Sequence, residues 1–358
     1  MQKKNSDLKQ ARINYVKQIL GDKYNNLPSN TPAQAFAPSN IALVKYWGKK
    51  DLILNEPTND SLSISLNNLG ATTSIEVLNN NICDNICDNI CHDKIILNNK
   101  TLNPKDKFCT RLSDFLDLFR LNSQNSQNSN IYFKINTKLN IPMGCGVASS
   151  ACGFAAITLA LDKLFNWQLP KTSLSKIARL GSGSAARSLW QGFVHWKTNG
   201  EAMPLTNLKW PKLCIGLCVL TNKPKSIGST EAMLRTQKTA PNYHKWPEYA
   251  QSLIKPIINS IEKKDFKTFG EISEECAITM HELMHASTPS INYDLTETIE
   301  LKKLIHNLRN SGIPIYFTQD AGPNIKVLFE KDNLKEIKKY INNMQIIENI
   351  NQTKQDVL

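Results

Sequence analysis

Apolar and polar positions follow two different periods along this chain, and the changes of period mark its elements. Ile313 to Phe317 and Ile325 to Phe329 are apolar stretches of strand length, and Ala321-Gly322-Pro323-Asn324 between them must turn. Ile131 to Asn136, Phe193 to Trp196 and Leu213 to Leu220 read as further strands. Helical spacing governs Phe108 to Phe119, the strongly apolar Gly153 to Phe165, Leu174 to Leu180, and most of Ile257 to Leu308, which Pro289 interrupts. Strands and helices mix without regular βαβ alternation, so the pattern predicts an α+β fold rather than a doubly wound sheet.

At the front of the chain, Leu8, Ala11, Val16, Ile19 and Leu20 fall near helical spacing, and Gly21 and Pro28 close the segment. Residues 1–30 therefore read as an appended surface helix, with a basic tail for a partner as the alternative, and folded sequence starts near Ala35. The length suits two domains, divided near Trp210-Pro211 into 31–210 and 211–358. Two tandem repeats, at 81–92 and 122–129, have no core-forming pattern and read as expanded surface loops. The first spaces Cys83, Cys87 and Cys91 four apart beside His92. Common thiolate sites are more tightly spaced, and a tandem repeat generates regular cysteines without any demand for ligands.

Composition narrows the partners. The formal charge is +12, but its lysines are scattered, with no Arg-rich block and no aromatic-interleaved basic stripe. That distribution favours phosphate-bearing small molecules over nucleic acid. No apolar run approaches the ~18 residues of a spanning helix, so no membrane role is expected. Nine cysteines without framework spacing, behind an N-terminus that lacks a signal sequence, point to a reducing cytoplasm.

Four motifs carry chemistry. Asp320 stands at a strand end before the turn, where a fixed, partly dry carboxylate can orient or accept a proton; a plain Asx-turn is the alternative. Pro142-Met-Gly144-Cys-Gly146-Val-Ala-Ser149-Ser150 runs small residues and two hydroxyls into an apolar helix. A phosphate cradle and an ordinary N-cap both fit there. Gly181-Ser182-Gly183-Ser184-Ala-Ala-Arg187 offers hydroxyls and a guanidinium fork for a carboxylate, or else a solvated loop arginine. Asn40, Lys45, Tyr46 and Lys49 set a carboxamide, two ammonium groups and a phenol on one strand and its following turn, a set suited to diphosphate; a lysine guarding an edge strand is the alternative for Lys45. A fifth match, His281-Glu282-Leu-Met-His285, has the zinc-peptidase spacing but no third ligand nearby, since Pro289 breaks the helix almost at once.

Taken in chain order, the four motifs resemble those of diphosphomevalonate decarboxylase, a family within the superfamily of galactokinase, homoserine kinase, mevalonate kinase and phosphomevalonate kinase. The likeness runs from about Ala35 to about Phe329. The glycine–serine loop is common to the superfamily, whereas Lys-Tyr-Trp-Gly-Lys, Gly-Ser-Gly-Ser-Ala-x-Arg and Asp-Ala-Gly-Pro-Asn mark the decarboxylase branch. The resemblance implies a two-domain small-molecule-kinase fold: an N-terminal domain like domain 2 of ribosomal protein S5, a ferredoxin-like C-terminal domain, and a cleft between them. It implies ATP-dependent conversion of (R)-5-diphosphomevalonate to isopentenyl diphosphate in the mevalonate pathway, with ATP and Mg2+, in a homodimer.

Position by position, the resemblance sets Asp320 at the substrate 3-hydroxyl, Lys45 beside the reacting centre, and Arg187 and Asn40 at the C1 carboxylate. Tyr46, Lys49, Ser182, Ser184 and Ser229 would handle substrate. Gly144, Gly146, Ser149, Ser150 and Lys225 would meet ATP, with Ser149 or Ser150 facing Mg-ATP and no dedicated protein metal site. Some positions depart from the family pattern: Gly-Cys-Gly-Val replaces Ala-Ala-Gly-Leu, Asn222 an Asp, and Gly228-Ser229 a Ser-Ser pair. Of the zinc-like motif only His281 has a family counterpart. The competing readings are a kinase acting on mevalonate or phosphomevalonate and, more remotely, a zinc peptidase or a nucleic-acid-binding protein.

Overall fold

The computed structural model describes residues 2–78, 92–120, 131–141, 149–223 and 225–348. Both cysteine-bearing and Asn/Ser/Gln repeats, and the loop holding Gly144 and Gly146, lie outside the described residues apart from His92. Chain order in the N-terminal domain is α1 (Gln2–Leu20), β1 (Ala33–Val44), the short pair β2 (Lys49–Asp51) and β3 (Glu56–Pro57), β4 (Ser61–Leu78), β5 (Lys94–Leu97), β6 (Lys100–Thr101), α2 (Lys107–Leu116), β7 (Tyr132–Leu139), α3 (Ser149–Leu164), α4 (Lys171–Gly181), β8 (Phe193–Trp196) and β9 (Ala202–Pro204). Its sheet runs β6-β5-β7-β4-β8-β9, with β1 also paired antiparallel to β4. Helix α3 lies against β1 and β4. It is buried on nearly every face, which is why its sequence is apolar all round. Its first turn, Ser149 and Ser150, reaches solvent and opens on a cleft.

Helix α1 departs from the expected surface appendage. Ile13, Val16 and Leu20 are buried and join the main core with Tyr24, each aliphatic side chain contributing about 1.5–3 kcal/mol by its burial. Arg179 of α4, itself buried, donates to the Tyr15 hydroxyl at 2.7 Å and sits 3.1 Å from Glu56 Oε1. The helix is thereby tied to α4 and β3. Spacing revealed its apolar face, but not that another part of the chain covers it.

The C-terminal domain follows as β10 (Leu213–Cys218), α5 (Ser229–Thr239), α6 (Trp246–Lys263), α7 (Phe266–His285), α8 (Thr296–Asn310), β11 (Ile315–Gln319), β12 (Ile325–Glu330), α9 (Leu334–Tyr340) and β13 (Met344–Ile347). Its sheet is antiparallel in the order β11-β12-β10-β13, and α7 and α8 pack on β11. The fold is thus α+β with two separate sheets. Strand β11 begins at Ile315 rather than at Ile313, because the Ile313 N–H is bonded to Leu308 O in the turn that closes α8.

The two domains meet where β1 ends. The Lys45 N–H donates to Cys276 Sγ of α7 at 3.3 Å, and Thr318 of β11 lies 3.5 Å from Ala42 O. That junction sets the last residues of β1 beside the β11–β12 turn.

Candidate active site

The β11–β12 turn is pinned by its own side chains. Asn324 Oδ1 accepts from the Leu220 and Thr221 N–H groups at 2.8 and 3.2 Å, and its Nδ2 donates to Thr221 O at 3.0 Å. Gln319 Nε2 donates to Asp294 Oδ1 at 2.8 Å and to Gly322 O at 2.9 Å. Burial pulls the His281 imidazole down to about 3, so the ring is neutral at pH 7 and its Nε2 hydrogen bonds to Asp320 O at 3.2 Å.

With its backbone held, Asp320 turns its carboxylate toward β1. Oδ1 lies 2.8 Å from Lys45 Nζ and Oδ2 lies 3.3 Å from Lys326 Nζ. The Asx-turn alternative fails, because both oxygens are engaged by ammonium groups rather than by the turn. Burial alone would raise the Asp320 pKa, but Lys45 and Lys326 outweigh it and hold the carboxyl well below the usual range. Burial pulls Lys45 down, and Asp320 opposes that shift. Lys45 is only 1% exposed, so it is no edge-strand guard. A buried lysine here is explained by its partner.

Arg187 lies in a short 3-10 turn, Gly183–Arg187, that follows α4. It is 3% exposed, which rules out a solvated loop. Its Nη1 donates to Ser61 Oγ at 2.6 Å, while Nε and Nη2 both face Asn40 Oδ1 at 3.4 Å. Asn40 Nδ2 donates in turn to Ser188 Oγ at 2.7 Å. Burial lowers the Arg187 pKa to about 10, with Asp320 opposing, so the fork stays charged at neutral pH. Gly183 is required by its neighbour, since a Cβ there would stand 2.7 Å from the Tyr46 oxygen. The Tyr46 ring meets Trp196 edge-on at 4.8 Å. Its buried hydroxyl has no hydrogen-bond partner among the described residues, a deficit that a ligand in the cleft would remedy.

A second cationic group borders the same turn. Lys49 Nζ donates to Asn55 Oδ1 at 2.7 Å, Arg12 Nε to Ile53 O at 2.7 Å, and Arg111 to Gly181 O through two nitrogens. Burial, then the charges of Arg111 and Arg12, pull Lys49 down to about 8. The hydroxyls of Ser150, Ser182 and Ser184 follow one another at 3.4 and 3.5 Å. On the opposite lip, Lys225 donates to Ala321 O and lies 3.3 Å from Ser229 Oγ.

One cavity of about 1020 Å3 gathers Asn40, Lys45, Tyr46, Lys49, Ser149, Ser150, Ser182, Ser184, Arg187, Lys225, Ser229 and Asp320. Asn222, a departure from the family pattern, lines it too. Gly144 and Gly146 belong to the undescribed loop that leads into α3. Sequence reasoning missed Lys326, Ser61, Arg12 and Arg111. Lys326 carried the signal used for Lys45, a lysine inside an apolar strand; the other three become visible only once the elements assemble.

The zinc-like motif is divided between different tasks. His281 is committed to Asp320 O, whereas His285 is exposed and hydrogen-bonded to Asn292 Oδ1 at 3.2 Å. Among the described residues no group of three His, Cys, Asp or Glu is arranged to hold a metal. The α3 first turn instead offers two serine hydroxyls and a helix N-terminus, with cations on the facing lip, a donor set suited to a polyphosphate and its counter-ion.

Comparison with known proteins identifies the family. The model of the diphosphomevalonate decarboxylase-like N-terminal domain matches residues 37–204, and that of the mevalonate 5-diphosphate decarboxylase C-terminal domain matches 215–357. The diphosphomevalonate decarboxylase of Debaryomyces hansenii is 34% identical, over 85% of this chain and 81% of its own. The crystal structure of mevalonate diphosphate decarboxylase from Staphylococcus aureus superposes with a TM-score of 0.79 at 32% identity, covering 88% of this chain and 95% of that one. A structure of MDDEF in complex with MVAPP, AMPPCP and magnesium gives 0.77 at 30% identity, covering 88% and 95%.

Proposed function

Because this chain belongs to the diphosphomevalonate decarboxylase family, we propose that its cleft converts (R)-5-diphosphomevalonate and ATP to isopentenyl diphosphate, ADP, phosphate and CO2. The observation that carries the reading is Asp320 clasped between Lys45 and Lys326 in the cavity that also holds the Arg187 fork.

A tertiary hydroxyl is a poor leaving group, so phosphorylation comes first. The 3-hydroxyl donates to Asp320 and attacks the γ-phosphorus of ATP; its proton passes to the carboxylate as ADP leaves. Asp320 is a weak base while Lys45 grips it. When Lys45 turns to the negative oxygens of the transferring group, that grip loosens and the carboxylate gains affinity for the proton. Mg2+, when bound with the nucleotide, supplies positive charge to its phosphates, and the hydroxyl of Ser149 or Ser150 is at hand to meet it. The C3–O bond of the phosphorylated alcohol then breaks. The C1–C2 electron pair closes the C2=C3 double bond as CO2 departs, and Arg187 with Asn40 holds the carboxylate in line for that step.

Tyr46, Lys49, Ser182, Ser184 and Ser229 would hold the rest of the substrate, and Lys225 the nucleotide. We also propose the domain division at Trp210-Pro211 and a cytoplasmic homodimer. The buried free thiols of Cys109, Cys152, Cys214, Cys218 and Cys276 suit a reducing compartment. Among the described residues no helix is long and apolar enough to cross a membrane.

Purified protein given ATP, Mg2+ and diphosphomevalonate should release CO2 and ADP in equal amounts. ADP without CO2 would make it a kinase, and turnover of mevalonate or phosphomevalonate in preference would reassign the substrate. The Lys49 ammonium gives a pH test. Its proton is lost above about 8 in the free protein, and cation loss weakens anion binding. We therefore expect kcat/KM for diphosphomevalonate to fall above that pH by up to about tenfold per unit. Lys49→Arg should shift the descending limb to higher pH; an identical profile in that variant would acquit Lys49.

A further inference from the structure

Helix α1 precedes the residues matched by the N-terminal family model, which begin at 37. It nevertheless sends Arg12 into the wall of the active cleft. Its placement is firm: the buried stripe Ile13, Val16 and Leu20 faces the core, Tyr15 accepts from Arg179, and Lys9 pairs with Asp117 at 2.7 Å. The Arg12 guanidinium is held against Ile53 O, in the segment between β2 and β3 that also contains Asn55, the partner of Lys49. Arg111 stands beside them on Gly181 O. None of Arg12, Lys49 and Arg111 forms an ion pair among the described residues; their partners are carbonyl and carboxamide oxygens. Asp51, the nearest carboxylate in sequence to Lys49, spends Oδ1 on the Ile53 and Leu54 N–H groups at 2.6 and 2.8 Å. Asp114 of α2 lines the same cavity and is the main charge acting on Arg12, so three cations meet one carboxylate there, and the excess of positive charge calls for an anion.

The cluster also lies at a telling place along the cleft. From Arg187, at the carboxylate end, the chain runs back through Ser184 and Ser182 to Gly181, where Arg111 sits. A ligand with a carboxylate at one end and phosphates at the other would follow that path. The nucleotide would lie between the α3 first turn, whose Ser150 hydroxyl neighbours Ser182 at 3.4 Å, and Lys225 on the facing lip.

We propose that Arg12 binds the terminal phosphate of the substrate, completing with Lys49 and Arg111 a three-cation cradle that selects diphosphate over monophosphate. This rests on the decarboxylase reading and extends it: a helix outside the matched family region becomes part of the substrate site. A terminal phosphate carries the extra negative charge that a third cation recognises, and a charged hydrogen bond of that kind is commonly worth a tenfold or larger change in affinity.

The test uses the full chain. Arg12→Gln should raise KM for diphosphomevalonate about tenfold or more, while kcat and KM for ATP stay within about twofold, and it should narrow the preference over phosphomevalonate. Arg12→Lys should recover part of the loss. Inorganic diphosphate should raise the Tm of wild type more than that of Arg12→Gln. Val16→Ala, which loosens α1 without removing a charge, should lower Tm yet leave KM alone. The proposal is overturned if Val16→Ala raises KM as Arg12→Gln does, if KM for ATP rises instead, or if neither KM nor diphosphate binding responds to Arg12→Gln. Absence of CO2 release by wild type would count against the underlying reaction, a result separable from all of these.

Discussion

Asp320→Asn should bind diphosphomevalonate and ATP but turn over about 10³-fold more slowly than wild type, the scale at which a positioned proton acceptor contributes. Asparagine keeps the shape of the side chain and one acceptor oxygen. It loses the negative charge and the ability to take the hydroxyl proton. The substitution has a second consequence, because Lys45 and Lys326 are each 1% exposed and both face this carboxylate. Removing one partner from a buried ion pair commonly costs about 3–5 kcal/mol. Burial already pulls Lys45 toward its neutral form, so that lysine should shed its proton and limit the loss. Thermal unfolding should therefore show a lower Tm in Asp320→Asn, and Lys326→Met in the same chain should restore part of it without restoring turnover. Calorimetric binding with single-turnover ADP release separates the two effects. Turnover within tenfold of wild type would remove Asp320 from the reaction.

Legibility in the sequence depended on whether a feature was local. The strand–turn–strand around Asp320 could be read because Gly322-Pro323 interrupts two apolar runs; Phe193 to Trp196 was plain too, and the run Leu213 to Leu220 overran its strand, which ends at Cys218, by two residues. Lys45 stood out as a charge in an apolar strand. Lys326, flanked by Ile325 and Val327, gave the same signal, but the fact that both lysines meet one carboxylate depends on the junction of two domains. The turn at Gly183–Arg187 could be read as a carboxylate fork or as a solvated loop, because small residues serve flexible loops and tightly packed turns alike; the burial of Arg187 and the approach of Tyr46 distinguish the cases. Helix α1 shows the same limit. Its spacing marks an apolar face, but the cover for that face, and the cleft that Arg12 enters, are supplied by residues far away in the chain.

Arg187→Lys tests the other half of the reaction, because it should separate phosphorylation from decarboxylation. Phosphoryl transfer needs the 3-hydroxyl, Asp320 and Lys45, none of which Arg187 touches directly. Departure of CO2 needs the C1 carboxylate held so that its electrons flow to C3. Lysine conserves the charge but not the fork. Arg187 spends Nη1 on Ser61 and shares Nε and Nη2 with Asn40, an anchorage that presents the guanidinium plane in one orientation. A lysine reaching for the carboxylate would leave Ser61 and Asn40 short of donors inside a buried wall, where unmet polar groups cost about 1–3 kcal/mol each. Rapid-quench experiments should consequently show a burst of about one ADP per site followed by slow CO2 release, with steady turnover down about 10²- to 10³-fold, as expected for a lost positioning contact. Arg187→Gln should give the same burst with weaker substrate binding, since the charge is lost as well. A parallel fall in the ADP burst and CO2 release would instead assign Arg187 to the first step, and coupled, near-normal turnover in Arg187→Lys would show that orientation of the carboxylate is achieved elsewhere in the cleft.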